Sequence, residues 1–278
     1  MPSRRFEDKV VVVTGSSTGI GREAAKLFAE EGAKVTYCGR NATSLKETRD
    51  LLLTVGAVEK DLLEIQGDLT SEEIQDRVIQ ETVDHFGRLD ILINNAGGAA
   101  PDNTKTQGFE SDMDVYDYTM NLNLRCVTRL TRLALPHLVK SQGEVVMVSS
   151  IAGLPFAFPT IPYYAMTKAG LNQLTRSLAA IYASQGVRIN SVNPGIVTTD
   201  IMKKQGASDT DIEKLEKNLC SNPVMTPLGR AGTSREIAEA IAFLADRKTS
   251  SYIVGHCLVV DGGSTVMTPV LSNYKSDY

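Results

Sequence analysis

A chain of 278 residues that is 42% hydrophobic and 22% charged is long enough to bury a sizeable core. Its net charge of −4, without a basic block, argues against nucleic acid or an anionic membrane surface as a partner. Cys38, Cys126, Cys220 and Cys257 form no Cys-x-x-Cys and His85, His137 and His256 are scattered, so neither a disulfide framework nor a metal site is suggested.

In chain order, the β-branched run over 9–14 reads as a strand buried on both faces, and Ile20, Ala24, Leu27 and Phe28 recur at helical spacing until Gly32. A strand over 34–38, a helix over 44–53, a strand over 62–66, a helix over 72–86 and a strand over 90–93 follow. The second half predicts a long amphipathic helix over 118–139, a strand over 144–149, a helix over 164–183 and a strand over 187–192. Segments 209–219 and 234–245 read as helices, 257–260 as a last strand, and 266–278 as a polar tail. Strands alternating with helices imply right-handed βαβ units, and hence an α/β fold with a doubly wound, Rossmann-like parallel sheet of about seven strands. No repeat or Pro/Gly/Ser-rich linker divides residues 1–278, so one domain is expected. No apolar run approaches about 18 residues, and Met1-Pro-Ser-Arg-Arg5 leads straight into a strand, so no membrane association and a cytoplasmic location are expected.

In such sheets, ligands sit beyond the carboxyl ends of the strands. Thr14-Gly15-Ser16-Ser17-Thr18-Gly19-Ile20-Gly21 follows the first strand and opens the first helix, the context that makes a glycine pattern a phosphate cradle. Gly15 makes the turn, Gly19 faces a pyrophosphate and Gly21 lets helix pack on strand. Arg22-Glu23 stands where a P-loop needs Lys-Ser/Thr, which excludes that reading.

Tyr164-Ala-Met-Thr-Lys168 places a phenol and an ammonium one helical turn apart on one face. A free tyrosine titrates near about 10. A cation about 4.5 Å away, at an effective dielectric of about 20, favours the phenolate by about 3 to 4 kcal/mol and is expected to bring the group toward working pH. That poise suits proton exchange with an alcohol or carbonyl oxygen. Tyr163 has only Thr167 four residues on, so the spacing selects Tyr164.

Seven features in order carry a resemblance to the short-chain dehydrogenase/reductase family in its single-domain form, over about residues 7–264. They are the Thr14–Gly21 turn, Asp68-Leu69, Asn94-Asn95-Ala96-Gly97, Asn123, Ser150, Tyr164 with Lys168, and Asn193-Pro194-Gly195. The resemblance implies a nicotinamide cofactor held by Gly15, Ser17, Gly19, Ile20, Gly21, Arg40, Asp68, Leu69, Asn95, Ala96, Gly97, Tyr164, Lys168, Ile196 and Thr198. Asp68 would accept from the adenine amino group, Asn95-Ala96-Gly97 would line the adenosine ribose side, and Ile196 and Thr198 would hold the carboxamide. The implied catalytic set is Asn123, Ser150, Tyr164 and Lys168, with Asn123 fixing a water behind Lys168 and Ser150 bonding the substrate oxygen. Ser150 lies one residue farther from Tyr164 than the serine of similar enzymes, so the 151–163 loop carries an apparent insertion; Ser149, in the strand, should face differently. Tyr163 is a second possible substrate contact.

At the end of the second strand, where an acidic residue would favour NAD, this chain has Gly39-Arg40-Asn41. Arg40 can pair with a 2′-phosphate, so NADP(H) is expected over NAD(H). The expected function is carbonyl–secondary alcohol oxidoreduction on a small molecule. The alternatives are an NAD-dependent enzyme of the same kind, a catalytically idle nucleotide-binding regulator, and an epimerase or dehydratase on a related fold. The last normally needs a larger carboxyl-terminal domain. Segment 154–159 suggests one apolar wall of the substrate site and 199–227 a lid. Apolar residues on several sides of the two long helices, together with the resemblance, imply a homodimer or homotetramer.

Overall fold

Apolar runs without a polar side are satisfied only where helices cover both faces of a sheet. The computed structural model, which describes residues 4–98, 108–199, 221–222 and 226–266, arranges them in that way. In chain order the strands are β1 (Val10–Val13), β2 (Lys34–Gly39), β3 (Leu62–Gln66), β4 (Ile91–Asn94), β5 (Glu144–Val148), β6 (Arg188–Pro194), β7 (Val197–Thr198), β8 (Gly232–Thr233) and β9 (Cys257–Val260). Seven form one parallel sheet in the order β3-β2-β1-β4-β5-β6-β9, as a single domain, while β7 and β8 pair separately.

Helices α1 (Gly19–Glu30), α2 (Ala42–Thr54), α3 (Glu72–Phe86), α4 (Met113–Met120), α5 (Cys126–Ser141), α6 (Pro162–Tyr182), α7 (Ser234–Ala245) and α8 (Arg247–Ser250) surround the sheet. The period of two along β1 divides the core between its faces. Val11 and Val13 pack with Leu27 and Phe28 of α1, Leu45 of α2 and Ile237 of α7. Val12 packs on the other side with Val78 of α3, Leu130 of α5 and Leu171 of α6. The helix expected over 209–219, most of the 199–227 segment, Cys220 and the tail beyond Val266 lie outside the described residues.

The long central helix differs from the expectation in an informative way. It begins five residues earlier, at Met113, and between α4 and α5 it opens into a π-turn at Asn121–Arg125. Such a turn inserts one residue and re-aims the side chains around it. Helix α2 also starts earlier than its apolar spacing suggests, because the Asn41 side chain accepts from the Ser44 amide at 2.9 Å.

The chain leaves β1 in one direction for β2 and β3, then returns to place β4 on the other side of β1, so a crevice opens where the order reverses. Thr14 closes its floor: its hydroxyl donates to Ile93 O at 3.2 Å and accepts from the Asn95 and Ala96 amides, each at 2.9 Å.

At the opposite, amino-terminal ends of the strands, Glu144 sits directly across from Arg188 in the β5–β6 register, and both are almost fully buried. Its carboxylate meets Arg188 at 2.9 Å and Arg247 at 2.7 Å, while Arg188 also donates to the carbonyls of Ser250 and Leu244. Removing one partner of a buried pair leaves the other charge uncompensated. Glu144→Ala should therefore cost about 3 to 5 kcal/mol of stability, read as a lowered urea midpoint. A loss below about 0.5 kcal/mol would show that the cluster is well solvated.

Candidate active site

The crevice is an open cleft of about 300 Å³ that runs from the glycine turn to α6. Gly15 has φ +68°, and a Cβ there would lie 2.8 Å from Ala96 Cα. Gly21 is constrained by space alone, since its Cβ would fall 2.4 Å from Gly15 O. The turn thus brings bare backbone to the cleft just where α1 presents its first amides, with no acidic side chain in the first helical turn. This is a cradle that fits a dinucleotide pyrophosphate.

Gly15, Ser17, Gly19, Ile20, Gly21, Arg40, Asp68, Leu69, Asn95, Ala96, Gly97, Ser150, Tyr164 and Lys168 all line the cleft. Ile196 and Thr198 do not; Pro194, Gly195, Val197 and Thr199 form that wall instead. The reason is the β7–β8 pairing, in which Ile196 O accepts from Gly232 N at 2.9 Å and Thr198 pairs with Thr233. Arg22, the basic residue nearest the turn, is committed elsewhere: it donates to Thr48 and Ser44 O at 3.0 Å and to Glu47 at 2.8 Å.

At the end of the cleft bordered by β2 and β3, one oxygen of Asp68 accepts from the Thr70 amide and hydroxyl, each at 2.9 Å, and builds its own loop. The other oxygen lies 3.8 Å from the Arg40 guanidinium.

At the other end, Lys168 is 3% exposed and donates to Val148 O at 2.8 Å, with its ammonium 5.4 Å from the Tyr164 ring centroid. The helical spacing does bring the two side chains together. The direction of the tyrosine's shift, however, is opposite to the one expected from charge alone. Burial pushes the Tyr164 hydroxyl up to about 12, with a Ser150 hydrogen bond pulling the other way, and burial brings the Lys168 ammonium down to about 8. Desolvation penalises both charged forms, a cost that spacing does not reveal.

Ser150 and Ser149 divide as their positions suggest. The Ser150 hydroxyl faces Tyr164 and also caps the short turn at Ile151–Gly153 by accepting from Ala152 N at 3.1 Å. Ser149 turns back and donates to Lys168 O at 3.0 Å. Tyr163 is 7% exposed; its hydroxyl donates to Phe109 O at 3.1 Å and its ring packs edge-on against Tyr116, so it is a packing residue rather than a lining one.

Asn123 is fully buried in the π-turn. Its amide donates to Gly98 O at 2.8 Å and Thr119 O at 3.0 Å, and its carbonyl accepts from Gly98 N at 2.8 Å. Both amide hydrogens are therefore taken by the protein, so the side chain clamps the Gly97–Gly98 loop rather than offering them to a water behind Lys168.

Sequence reasoning missed Asn172 and passed over the side chain of Asn193. Asn193 donates to Ser150 O at 2.8 Å and to the Asn172 carbonyl at 3.1 Å, while Asn172 donates to Gly153 O at 3.0 Å. The available signal was a polar residue on the buried face of a helix.

A family pattern described as Enoyl-(Acyl carrier protein) reductase matches residues 15–265. L-fucose dehydrogenase of Bos taurus is 36% identical over 94% of this chain and 90% of its own length. A Caenorhabditis elegans short-chain dehydrogenase/reductase of unknown function, solved with cofactor, is 44% identical with a TM-score of 0.95, covering 97% of this chain and 100% of that one. The apo form of C. elegans glucose dehydrogenase is also 44% identical, with a TM-score of 0.81 over 95% of this chain and 100% of that one. The glycine cradle, the Ser150–Tyr164–Lys168 grouping and these similarities agree: the chain belongs to the short-chain dehydrogenase/reductase family and is an NAD(P)-dependent oxidoreductase acting on CH–OH donors.

Proposed function

We propose that this protein interconverts a carbonyl and a secondary alcohol with NADP(H), Tyr164 exchanging the proton. The observation that carries the reading is that Tyr164, Ser150 and Lys168 line one cleft that begins at the glycine cradle, with the Lys168 ammonium 5.4 Å from the Tyr164 ring centroid. A nicotinamide dinucleotide bound there would supply or accept the hydride. Ser150 orients the substrate oxygen, Tyr164 holds the proton, and Lys168 stabilises the charge that develops on the phenol as the proton leaves. Asn123 acts through the loop it clamps.

Aldoses are the first substrates to try. The relatives named for L-fucose and glucose support this. A cytoplasmic setting is part of the same reading, supported by Cys38, Cys126 and Cys257 being free thiols. So is a homodimer or homotetramer, supported by Met166 and Ile181, 50% and 56% exposed along α6. Light scattering at micromolar concentration should give at least a dimer; a monomer rejects this part.

Tyr164→Phe should lower turnover about 10²- to 10⁴-fold while cofactor binding persists, and undiminished turnover would remove Tyr164 from the chemistry. The pH dependence has a definite sign. With its pKa raised to about 12, Tyr164 is a neutral donor at neutral pH, ready for carbonyl reduction. Reductive kcat/KM should hold near neutrality and fall as pH rises through about 8, where Lys168 loses its charge. Oxidative kcat/KM should instead rise with pH as the phenolate is populated; a flat pair of profiles contradicts the assignment.

For the cofactor, Arg40 lines the cleft directly after β2, and the Gly39-Arg40-Asn41 segment carries no carboxylate of its own. Arg40→Ala should reduce the preference for NADPH over NADH about 10- to 150-fold in measured Kd, the worth of one charge-assisted hydrogen bond. An unchanged ratio would place the selectivity elsewhere.

A further inference from the structure

Helix α4 reaches the adenosine end of the cleft through one side chain that the chemistry above does not use. The Tyr118 hydroxyl lies 3.3 Å from Nη1 of Arg40, within hydrogen-bond reach, and the same nitrogen lies 3.8 Å from Asp68 Oδ2. One end of the guanidinium is thus held between a helix and the loop after β3. One turn beyond Tyr118, in the π-turn that follows α4, Leu122 lines the cleft itself, so Tyr118 stands at its rim.

We propose that Tyr118 is a specificity-determining positioning residue, which holds the Arg40 guanidinium across the adenosine end of the cleft in the pose that receives a 2′-phosphate. The inference rests on the NADP(H) reading and deepens it. Three physical points support it. Arg40 is 61% exposed along its side chain, and a long exposed side chain loses rotamer freedom when it grips a ligand; an anchor made beforehand reduces that loss. The two contacts fall on Nη1, so the planar fork still presents its Nη2 edge, which suits bidentate contact with phosphate. Asp68, 43% exposed, would repel a phosphate dianion at this end of the cleft, and Arg40 placed against it compensates that charge. Tyr118 supplies the neutral half of the clamp: a hydroxyl that fixes direction without drawing the guanidinium away from an anion.

The test is a cycle of Tyr118→Phe and Arg40→Ala in the full-length enzyme, with Kd measured for NADPH and NADH by nucleotide fluorescence. Tyr118→Phe should lower the NADPH-to-NADH affinity ratio about three- to tenfold, and the kinetic loss should appear in KM for NADPH rather than in kcat. Placed on Arg40→Ala, the same substitution should have no further effect on the ratio. An equal weakening of both cofactors would show a merely structural tyrosine, and a full effect in the Arg40→Ala background would show that Tyr118 does not act through Arg40. Either result overturns the proposal. If Arg40→Ala abolishes the preference but Tyr118→Phe leaves the ratio intact, only the role of Tyr118 falls. If Arg40→Ala leaves the ratio intact, the NADP(H) reading falls and the proposal falls with it. Thermal melting of each variant separates these outcomes from misfolding.

Discussion

A lysine ammonium taken out of water governs the arrangement of the site. Lys168 is nearly fully buried, and its charge is tolerable only if the surrounding backbone replaces the lost solvation. Val148 O at the end of β5 takes one hydrogen, and the space around the ammonium exists because residue 97 is glycine: a Cβ there would stand 3.3 Å from Nζ and 2.6 Å from Asn123 Oδ1. The loop after β4, the end of β5, the π-turn and α6 therefore meet around one charge. That burial also explains why the phenol and the ammonium do not settle as a ready ion pair.

A second constraint fixes Ser150 against Tyr164. Behind it, Ser191, Asn193 and Asn172 form a buried network in which Asn193 holds Ser150 O and Asn172 holds Gly153 O. Gly153 approaches α6 so closely that a Cβ would lie 2.5 Å from the Lys168 carbonyl carbon. The Ile151–Gly153 turn is thereby pinned to the helix that carries the tyrosine and lysine. Buried polar networks of this kind specify a single geometry because each unmade bond would be costly.

Much of this was legible in the chain. All seven strands of the main sheet were legible, most plainly β1, an apolar β-branched run covered on both faces, and the glycines of 14–21 announced a close backbone approach. What stayed hidden depends on three-dimensional environment. Hydrophobic periodicity shows a helix around Asn123 but not the inserted residue of a π-turn, which arises where a side chain competes for the helical carbonyl of Thr119. Spacing put Lys168 beside Tyr164, yet the shift of the tyrosine follows from desolvation, which a spacing cannot measure. Ile196 and Thr198 were named by position along the chain, whereas the short β7–β8 pairing, two residues long, decides which of their neighbours face the cleft. The Glu144–Arg188–Arg247 cluster was equally invisible, because its members come together only through strand register and the start of α8.

The central helix links the two ends of the cleft. Along its first part, Tyr118 reaches Arg40 at the end of β2, and Leu122 lines the cleft. The π-turn then swings Asn123 inward onto Gly98, next to the space occupied by Lys168. In a regular helix the Asn123 amide group would have to compete with an intact carbonyl ladder, whereas the widened turn leaves Thr119 O able to accept from the side chain. Three hydrogen bonds from one buried side chain offset the irregular backbone. The irregularity is local, but its effect is not. It puts Tyr118, which reaches Arg40, and Asn123, which holds Gly98 next to the space of Lys168, on one continuous helical stretch, so a displacement of that stretch would disturb both ends of the cleft together.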